Sequence, residues 1–212
     1  MYLPKQFEET RIEVLHQMMR SHPFAALVTL GESGICANHI PFLLDSSSGS
    51  LGTLRGHVSR GNPVWKEPSG KLEALVIFEG PNSYISPSWY PGKGEHGKVV
   101  PTWNYAIVHA YGVPQFIEDS AYLLNIVSDL TDRHESFRKL PWKVADAPRD
   151  FIENQLKAIV GIEIPINRIS GKWKASQNRS EADREGVIRG LESSKNEQAK
   201  ATAELVRNNR TE

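Results

Sequence analysis

Hydrophobic and polar residues along the first half of the chain predict short strands joined by tight turns. The apolar segment 24–30 is followed by the turn residues 31–34, and an extended pattern resumes over 35–44. The polar turn 46–50 then leads into a third extended segment over 51–58. Three short strands connected in this way indicate an antiparallel meander.

The rest of the chain predicts further strands and a few helices. Extended segments are predicted at 71–78, 83–90, 105–117 and 162–174, and helices at 8–21, at 119–134 and from Pro148 onward. Residues 91–98 contain three glycines and one proline, which predicts a mobile loop. Because strands and helices do not alternate regularly, we expect a mainly β protein with helical additions, built as a small closed or half-open antiparallel barrel.

The composition predicts one main domain followed by a charged segment. A chain of 212 residues, 39% of them hydrophobic, is long enough to bury a sizeable core. Residues 180–212 are charged and contain no aromatic side chain. We therefore expect a domain over 1–179 and, after it, a solvated helix or tail that lies outside the core.

Charge and cysteine content exclude several classes of protein. The 25 Lys and Arg residues are balanced by 25 Asp and Glu residues and no segment is strongly basic, which argues against a duplex-DNA binder. The chain has no apolar run long enough to cross a bilayer, and residues 1–7 lack the features of a signal peptide. A single cysteine, Cys36, excludes an intramolecular disulfide. We expect a cytoplasmic protein.

The densest cluster of functional side chains runs from Arg55 to Pro63. Arg55 and Arg60 carry guanidinium groups suited to a phosphate or a carboxylate, and Ser59 can start a helical turn whose free amides bind anions. The alternative is a strand end followed by a capped turn, with both arginines in solvent. The residues leave both interpretations open.

Two aromatic segments add candidates for a flat ligand. Alternation places Tyr84, Ser86 and Ser88 on one face of an extended segment that also contains two larger rings, and residues 98–105 combine a cation, a hydroxyl, an amide and two rings. Cross-strand aromatic packing explains such rings equally well. The histidines lie on separate segments without metal-ligand spacing, so we predict no metal site. No nucleophile, P-loop or Rossmann motif occurs, and no catalytic residue is assigned.

Several blocks of the sequence resemble the PaiB-type family of FMN-binding negative transcriptional regulators. The resemblance covers residues 1–179 in order and rests on Met1-Tyr2-Leu3-Pro4, His39-Ile40-Pro41-Phe42, Arg55-Gly56-His57-Val58, Asn62-Pro63, Gly80-Pro81, Tyr84-Ile85-Ser86-Pro87-Ser88-Trp89-Tyr90, Val100-Pro101-Thr102-Trp103-Asn104-Tyr105 and Ser176-Gln177-Asn178-Arg179. It implies a split β-barrel like that of pyridoxamine-phosphate oxidases and flavin reductases. It also implies a homodimer with FMN near the subunit interface.

The resemblance also assigns residues to the cofactor. The implied phosphate ligands are Arg55, His57, Ser59, Arg60 and Asn62. The implied ring contacts are Tyr84, Ser86, Trp89, Thr102, Trp103 and Asn104, with Lys98 and Arg179 as further ligands. FMN needs such residues because it combines a phosphate dianion with a flat isoalloxazine.

The function implied is that of an FMN-binding negative transcriptional regulator that senses flavin or redox state. Two alternatives stay open, an FMN-dependent oxidoreductase such as a flavin reductase, and a haem-binding split barrel with His39, His57 or His109 on the iron. DNA as a partner follows from the resemblance only, because neither charge nor motif supports it. We therefore predict that direct, sequence-specific DNA binding is weak or absent.

Overall fold

The computed structural model describes residues 1–32, 34–66 and 72–209, and these residues form ten strands and six α-helices. The strands are β1 (Glu8–Glu9), β2 (Phe24–Gly31), β3 (Gly34–Pro41), β4 (Leu43–Asp45), β5 (Thr53–Ser59), β6 (Ala74–Ile85), β7 (Thr102–Gly112), β8 (Gln115–Ile117), β9 (Ile159–Pro165) and β10 (Arg168–Lys174). The helices are α1 (Ile12–Ser21), α2 (Gly92–His96), α3 (Ser120–Glu135), α4 (Arg149–Leu156), α5 (Glu181–Glu192) and α6 (Glu197–Asn208). The predicted mainly β architecture with helical additions is confirmed.

The chain divides into two compact units. Unit 1 contains residues 1–15, 79–108 and 170–212, and unit 2 contains residues 16–78 and 109–169. Among the helices described, none is both long and apolar enough to span a bilayer. The predicted division of the chain at residue 179 stays a prediction.

Unit 1 is built on a sheet in which β1, β10, β7 and β6 follow one another as neighbours. The two residues of β1 pair antiparallel with β10, with Glu8 opposite Lys172. Along β7, alternate side chains are buried and half-exposed, which gives this sheet one core face and one accessible face. The accessible face is where the candidate site lies.

The C-terminal helices α5 and α6 also belong to the core of unit 1. Val187 and Leu191 of α5 and Val206 of α6 are fully buried, and they pack in one cluster with Ile85 and Tyr90. The expectation that residues 180–212 lie outside the core is therefore wrong. The expectation was based on the absence of aromatic side chains, whereas short apolar side chains at helical spacing form the buried faces of these two helices.

Unit 2 contains a hairpin and a second sheet. Strand β2 pairs antiparallel with β3 and with the first part of β6. The second sheet has the order β4-β5-β9-β8, and Gly56 of β5 lies opposite Ile162 of β9. Helix α3 packs against β5 and β9, and it buries Leu123, Ile126 and Leu130. This is the face that the spacing of apolar residues predicts.

Three sequence predictions need correction or lie outside the described residues. The segment 91–98, predicted as a mobile loop, contains α2, which ends at Gly97 with a φ of 65°, a left-handed conformation that glycine adopts without strain. The extended segment 83–90 is a strand only as far as Ile85 and continues as a 3₁₀ turn over Pro87–Trp89. Lys71, the predicted start of β6, lies outside the described residues.

Candidate functional site

The accessible face of the unit 1 sheet carries a pair of aromatic rings. Trp103 on β7 is 53% exposed and Tyr84 on β6 is 47% exposed. Their ring centroids are 6.4 Å apart with an angle of 75° between the planes, an edge-to-face contact. Exposed rings of this size on a rigid sheet offer a surface on which a flat ligand can stack.

A cavity of about 290 Å³ lies beside Trp103. Its wall includes Trp103, Tyr105 and Ile107 from β7 and Glu79 and Asn82 from β6. The wall therefore combines apolar and aromatic surface with two polar groups, as ligand pockets commonly do. Tyr105 and Asn82 were not among the residues assigned from the sequence.

Two lysines of β10 lie at the same face. Nζ of Lys174 donates to the carbonyl oxygen of Trp103 at 2.7 Å and to the hydroxyl of Thr102. Nζ of Lys172, which is only 7% exposed, donates to the carbonyl oxygen of Tyr2 at 3.0 Å and lies 5.4 Å from the ring centroid of Tyr105. Neither lysine forms an ion pair with a carboxylate among the residues described.

The electrostatics of this cluster favour an anion. Burial, together with the positive charges of Lys172 and Arg179, lowers the pKa of Lys174 below its ordinary value. A bound anion would relieve the repulsion among these three cations. The sequence contains a signal for this pair of cations, because the alternation in Lys172-Trp173-Lys174 places both lysines on one face of a strand.

Arg179 is held by a turn that follows β10. Ser176 is buried with a φ of 60°, a strained left-handed conformation, and its hydroxyl accepts a hydrogen bond of 2.8 Å from the side-chain amide of Asn104. The guanidinium of Arg179 then lies 4.8 Å from the ring centroid of Tyr90, whose pKa is raised by burial. Asn104 is buried, and its amide contacts this turn.

The remaining unit 1 candidates lie near α5 or after α2. Ser86 caps the 3₁₀ turn, and its hydroxyl accepts from the backbone N–H of Ser88 at 3.2 Å. Trp89 packs against α5 so closely that an added Cβ at Gly190 would lie 2.2 Å from its ring. Lys98 is exposed in the segment between α2 and β7. The roles of these residues toward a ligand stay predictions.

In unit 2, both predicted phosphate-binding arginines already have carboxylate partners. Arg55 on β5 forms ion pairs with Asp45 at 3.0 Å and with Glu163 at 2.8 Å. Arg60 pairs with Glu118 and donates to the carbonyl oxygen of Lys157 at 2.7 Å. A phosphate at either guanidinium would have to compete with these carboxylates.

The turn after β5 is organised by its own side chains. The side-chain oxygen of Asn62 caps a 3₁₀ turn by accepting from the N–H of Val64 at 3.0 Å, and its amide donates to Asn38 at 2.6 Å. The hydroxyl of Ser59 accepts from the N–H of Gly61 at 3.2 Å. These contacts match the capped-turn interpretation of the sequence, whereas the assignment of His57, Ser59 and Asn62 to a phosphate stays a prediction.

Residues 1–168 match the model of a family described as "Putative FMN-binding domain". The chain belongs to this family. FMN is the cofactor of the family, and the cations and rings on the accessible face of unit 1 suit its phosphate and its flat ring system.

Full-length relatives and solved structures agree with this assignment. An uncharacterised protein of Emericella nidulans is 38% identical over 98% of this chain and 96% of its own length. The protease synthase and sporulation protein PAI 2 of Bacillus subtilis is 34% identical over 97% of this chain and 96% of its own length. The predicted PaiB-type family is thereby confirmed.

Among solved structures, two similar chains show the fold. The FAD and haem binding protein of Mycobacterium smegmatis has a TM-score of 0.58 and 18% identity, covering 86% of this chain and 80% of that one. The flavocytochrome Anf3 of Azotobacter vinelandii has a TM-score of 0.57 and 12% identity, covering 84% and 74%. The fold is the split β-barrel that the sequence resemblance implied.

Proposed function

We propose that this protein is a negative transcriptional regulator that responds to flavin through FMN bound on the accessible face of unit 1. The observation that carries the proposal is that a cation with no carboxylate partner among the described residues contacts the strand that carries one ring of an exposed aromatic pair. Lys174 donates to the backbone of Trp103, whose ring meets Tyr84. FMN needs both features together, because its phosphate is a dianion and its isoalloxazine is flat.

In this proposal the two parts of the cofactor have separate ligands. Lys174, Lys172 and Arg179 hold the phosphate, and Trp103 and Tyr84 contact the ring. Bound FMN supplies electron-transfer chemistry, and the protein sets its electronics through nearby charges and hydrogen-bond donors. The phosphate site on Arg55 and Arg60, which the sequence suggested, is less favourable because Asp45, Glu163 and Glu118 already neutralise those guanidinium groups.

A comparison of FMN with riboflavin tests the cofactor site. Riboflavin has the same ring system and lacks the phosphate, so we expect FMN to bind about 30-fold more tightly, measured by quenching of flavin fluorescence. The absorption spectrum of the loaded protein should show flavin bands. Equal affinities would refute recognition of the phosphate, and a Soret band would support the haem alternative. NADH oxidation dependent on bound FMN would support the oxidoreductase alternative.

The regulatory part of the proposal rests on the full-length match to the Bacillus subtilis protein, whose name concerns protease synthase and sporulation. We propose a cytoplasmic homodimer with FMN near the subunit interface. The strongly exposed Tyr2, Val100 and Trp103 of unit 1 favour an apolar partner surface. Light scattering of the purified protein measures the oligomeric state, and a monomer at micromolar concentration would contradict the dimer.

Regulation is expected to act without direct reading of DNA sequence. The 25 basic and 25 acidic residues leave no net charge to neutralise a phosphate backbone. In a gel shift with a promoter fragment at physiological salt, we expect no discrimination between specific and scrambled sequences. A salt-dependent, sequence-discriminating shift at nanomolar protein would show this expectation to be wrong.

A further inference from the structure

Residues 1–4, one of the blocks that carry the family resemblance, form a strap beside β10 of unit 1. They precede a 3₁₀ turn over Lys5–Phe7, and β1 follows this turn and pairs with β10. Phe7 is buried, and its N–H donates to the carbonyl oxygen of Pro4 at 2.9 Å. The chain is therefore anchored at Phe7 and β1, and the strap extends from this anchor.

The strap covers Lys172, one of the three cations of the proposed phosphate site. Nζ of Lys172 donates to the carbonyl oxygen of Tyr2 at 3.0 Å and lies 5.6 Å from the centroid of the Tyr2 ring. The ring of Tyr105 lies at 5.4 Å from the same atom. Lys172 is only 7% exposed, whereas Tyr2 is 84% exposed. The lysine is thus enclosed by a residue that itself lies mostly in solvent.

Few contacts hold the strap in this position. The bond donated by Lys172 is the one hydrogen bond that residues 1–3 form with the described part of the chain. The contact between an ammonium group and an exposed tyrosine ring adds only a small stabilisation. Residues 1–3 can therefore leave Lys172 at a small cost while Phe7 and β1 keep their positions.

A phosphate is a better acceptor for Lys172 than the strap is. The ammonium group has three donors, and the strap offers it one neutral carbonyl oxygen. Hydrogen bonds from an ammonium group to a phosphate dianion are charge-assisted and stronger. Lys174 and Arg179 attract the same dianion. Because Tyr2 occupies the ammonium group, however, a phosphate reaches Lys172 only after Tyr2 has moved.

We propose that the strap is a gate on the cofactor site, which opens when Lys172 exchanges the carbonyl oxygen of Tyr2 for the flavin phosphate. The inference rests on the proposed function, since that function assigns Lys172 to the phosphate. Riboflavin has no phosphate, so it leaves the gate closed. The position of Tyr2 then distinguishes FMN from riboflavin, and this gives a flavin-responsive regulator a structural change that depends on the phosphate.

Fluorine NMR of the full-length protein labelled with 3-fluorotyrosine follows the gate directly. The chain has six tyrosines, and the Tyr2 resonance is assigned by its loss in Tyr2→Phe. We expect FMN to shift and narrow this resonance and riboflavin to leave it unchanged. Tyr122, whose hydroxyl is buried in unit 2, gives the control resonance and should not respond to either flavin. One protein concentration is used throughout, so that a change of oligomeric state is not mistaken for opening.

Three variants separate the gate from other effects. Tyr2→Gly removes the ring that competes with the phosphate, so FMN affinity should rise about threefold while riboflavin affinity is unchanged. Lys172→Met should give a narrow Tyr2 resonance without any flavin, because the strap has lost its partner. Gln6→Ala, exposed in the anchoring turn, serves as the control and should match the wild type.

The outcomes distinguish this proposal from the FMN proposal. If FMN binds more tightly than riboflavin and the Tyr2 resonance does not move, the cofactor proposal stands and the gate is refuted. If both flavins bind equally, inorganic phosphate is used as the probe, and a Tyr2 resonance that does not respond to millimolar phosphate refutes the gate as well. A lower FMN affinity of Tyr2→Gly would make Tyr2 a ligand and not a barrier.

Discussion

Replacement of Lys174 by methionine is expected to weaken FMN binding by about 30-fold while leaving the affinity for riboflavin within about threefold. The lysine faces two other cations and has no carboxylate partner among the described residues, so its charge is available to a phosphate. Methionine keeps an unbranched side chain of similar length and removes the ammonium group, with its charge and its hydrogen bonds to Thr102 and Trp103. Fluorescence titration with both flavins measures the difference.

The same variant tests how the affinity for FMN depends on pH. Because the pKa of Lys174 lies below its usual value in the free protein, the side chain loses its proton at lower pH than an ordinary lysine. FMN affinity should therefore fall as pH rises through that lowered pKa, and this fall should be absent in Lys174→Met. By linkage, FMN binding should raise the pKa of Lys174, and proton uptake should accompany binding at pH values near the lowered pKa of the free protein.

Two further variants give this experiment its controls. Lys195→Met removes an exposed positive charge between α5 and α6 and should leave both flavin affinities unchanged. Arg55→Ala separates the competing phosphate sites. If Arg55→Ala, and not Lys174→Met, abolished the preference for FMN over riboflavin, the phosphate would bind at the turn after β5 and our assignment would be wrong.

Substitution of Gly186 by alanine is expected to destabilise the protein by about 3 kcal/mol. A Cβ at this position of α5 would lie 2.0 Å from the carbonyl oxygen of Trp89. That atom belongs to the backbone of the 3₁₀ turn, so the clash cannot be relieved by rotating a side chain. The helix would have to move away from the cluster that buries Val187 and Leu191. Urea denaturation measures the loss.

Gly94→Ala is the matched control for this prediction. Gly94 lies in α2, and a Cβ there meets no atom within 4 Å. We expect unchanged stability or a gain of up to about 1 kcal/mol, because alanine favours a helix. If Gly186→Ala were as stable as Gly94→Ala, the packing of α5 against Trp89 would not contribute to the core of unit 1.

The candidate site shows where sequence reasoning succeeds and where it stops. The residue types were sufficient to predict an anionic, flat ligand, and Trp103 and Tyr84 do lie in contact. The sequence does not show which of the candidate cations already have a carboxylate partner. Arg55 has two carboxylate partners, and one of them, Glu163, is 108 positions away in the chain. A pairing of this kind depends on strand order, which no local pattern contains.

The sequence by itself determined the hairpin of β2 and β3, the buried face of α3 and the family, because alternation, helical spacing and motif blocks are local properties of the chain. Only the tertiary structure decided that α5 and α6 complete the core of unit 1, that Lys174 contacts the backbone of Trp103 and that Lys172 lies near the ring of Tyr105. The physical reason is that burial and charge neutralisation depend on neighbours in space. Small apolar side chains, and lysines that have no carboxylate partner in the described part of the chain, acquire their roles only when distant strands and helices come together.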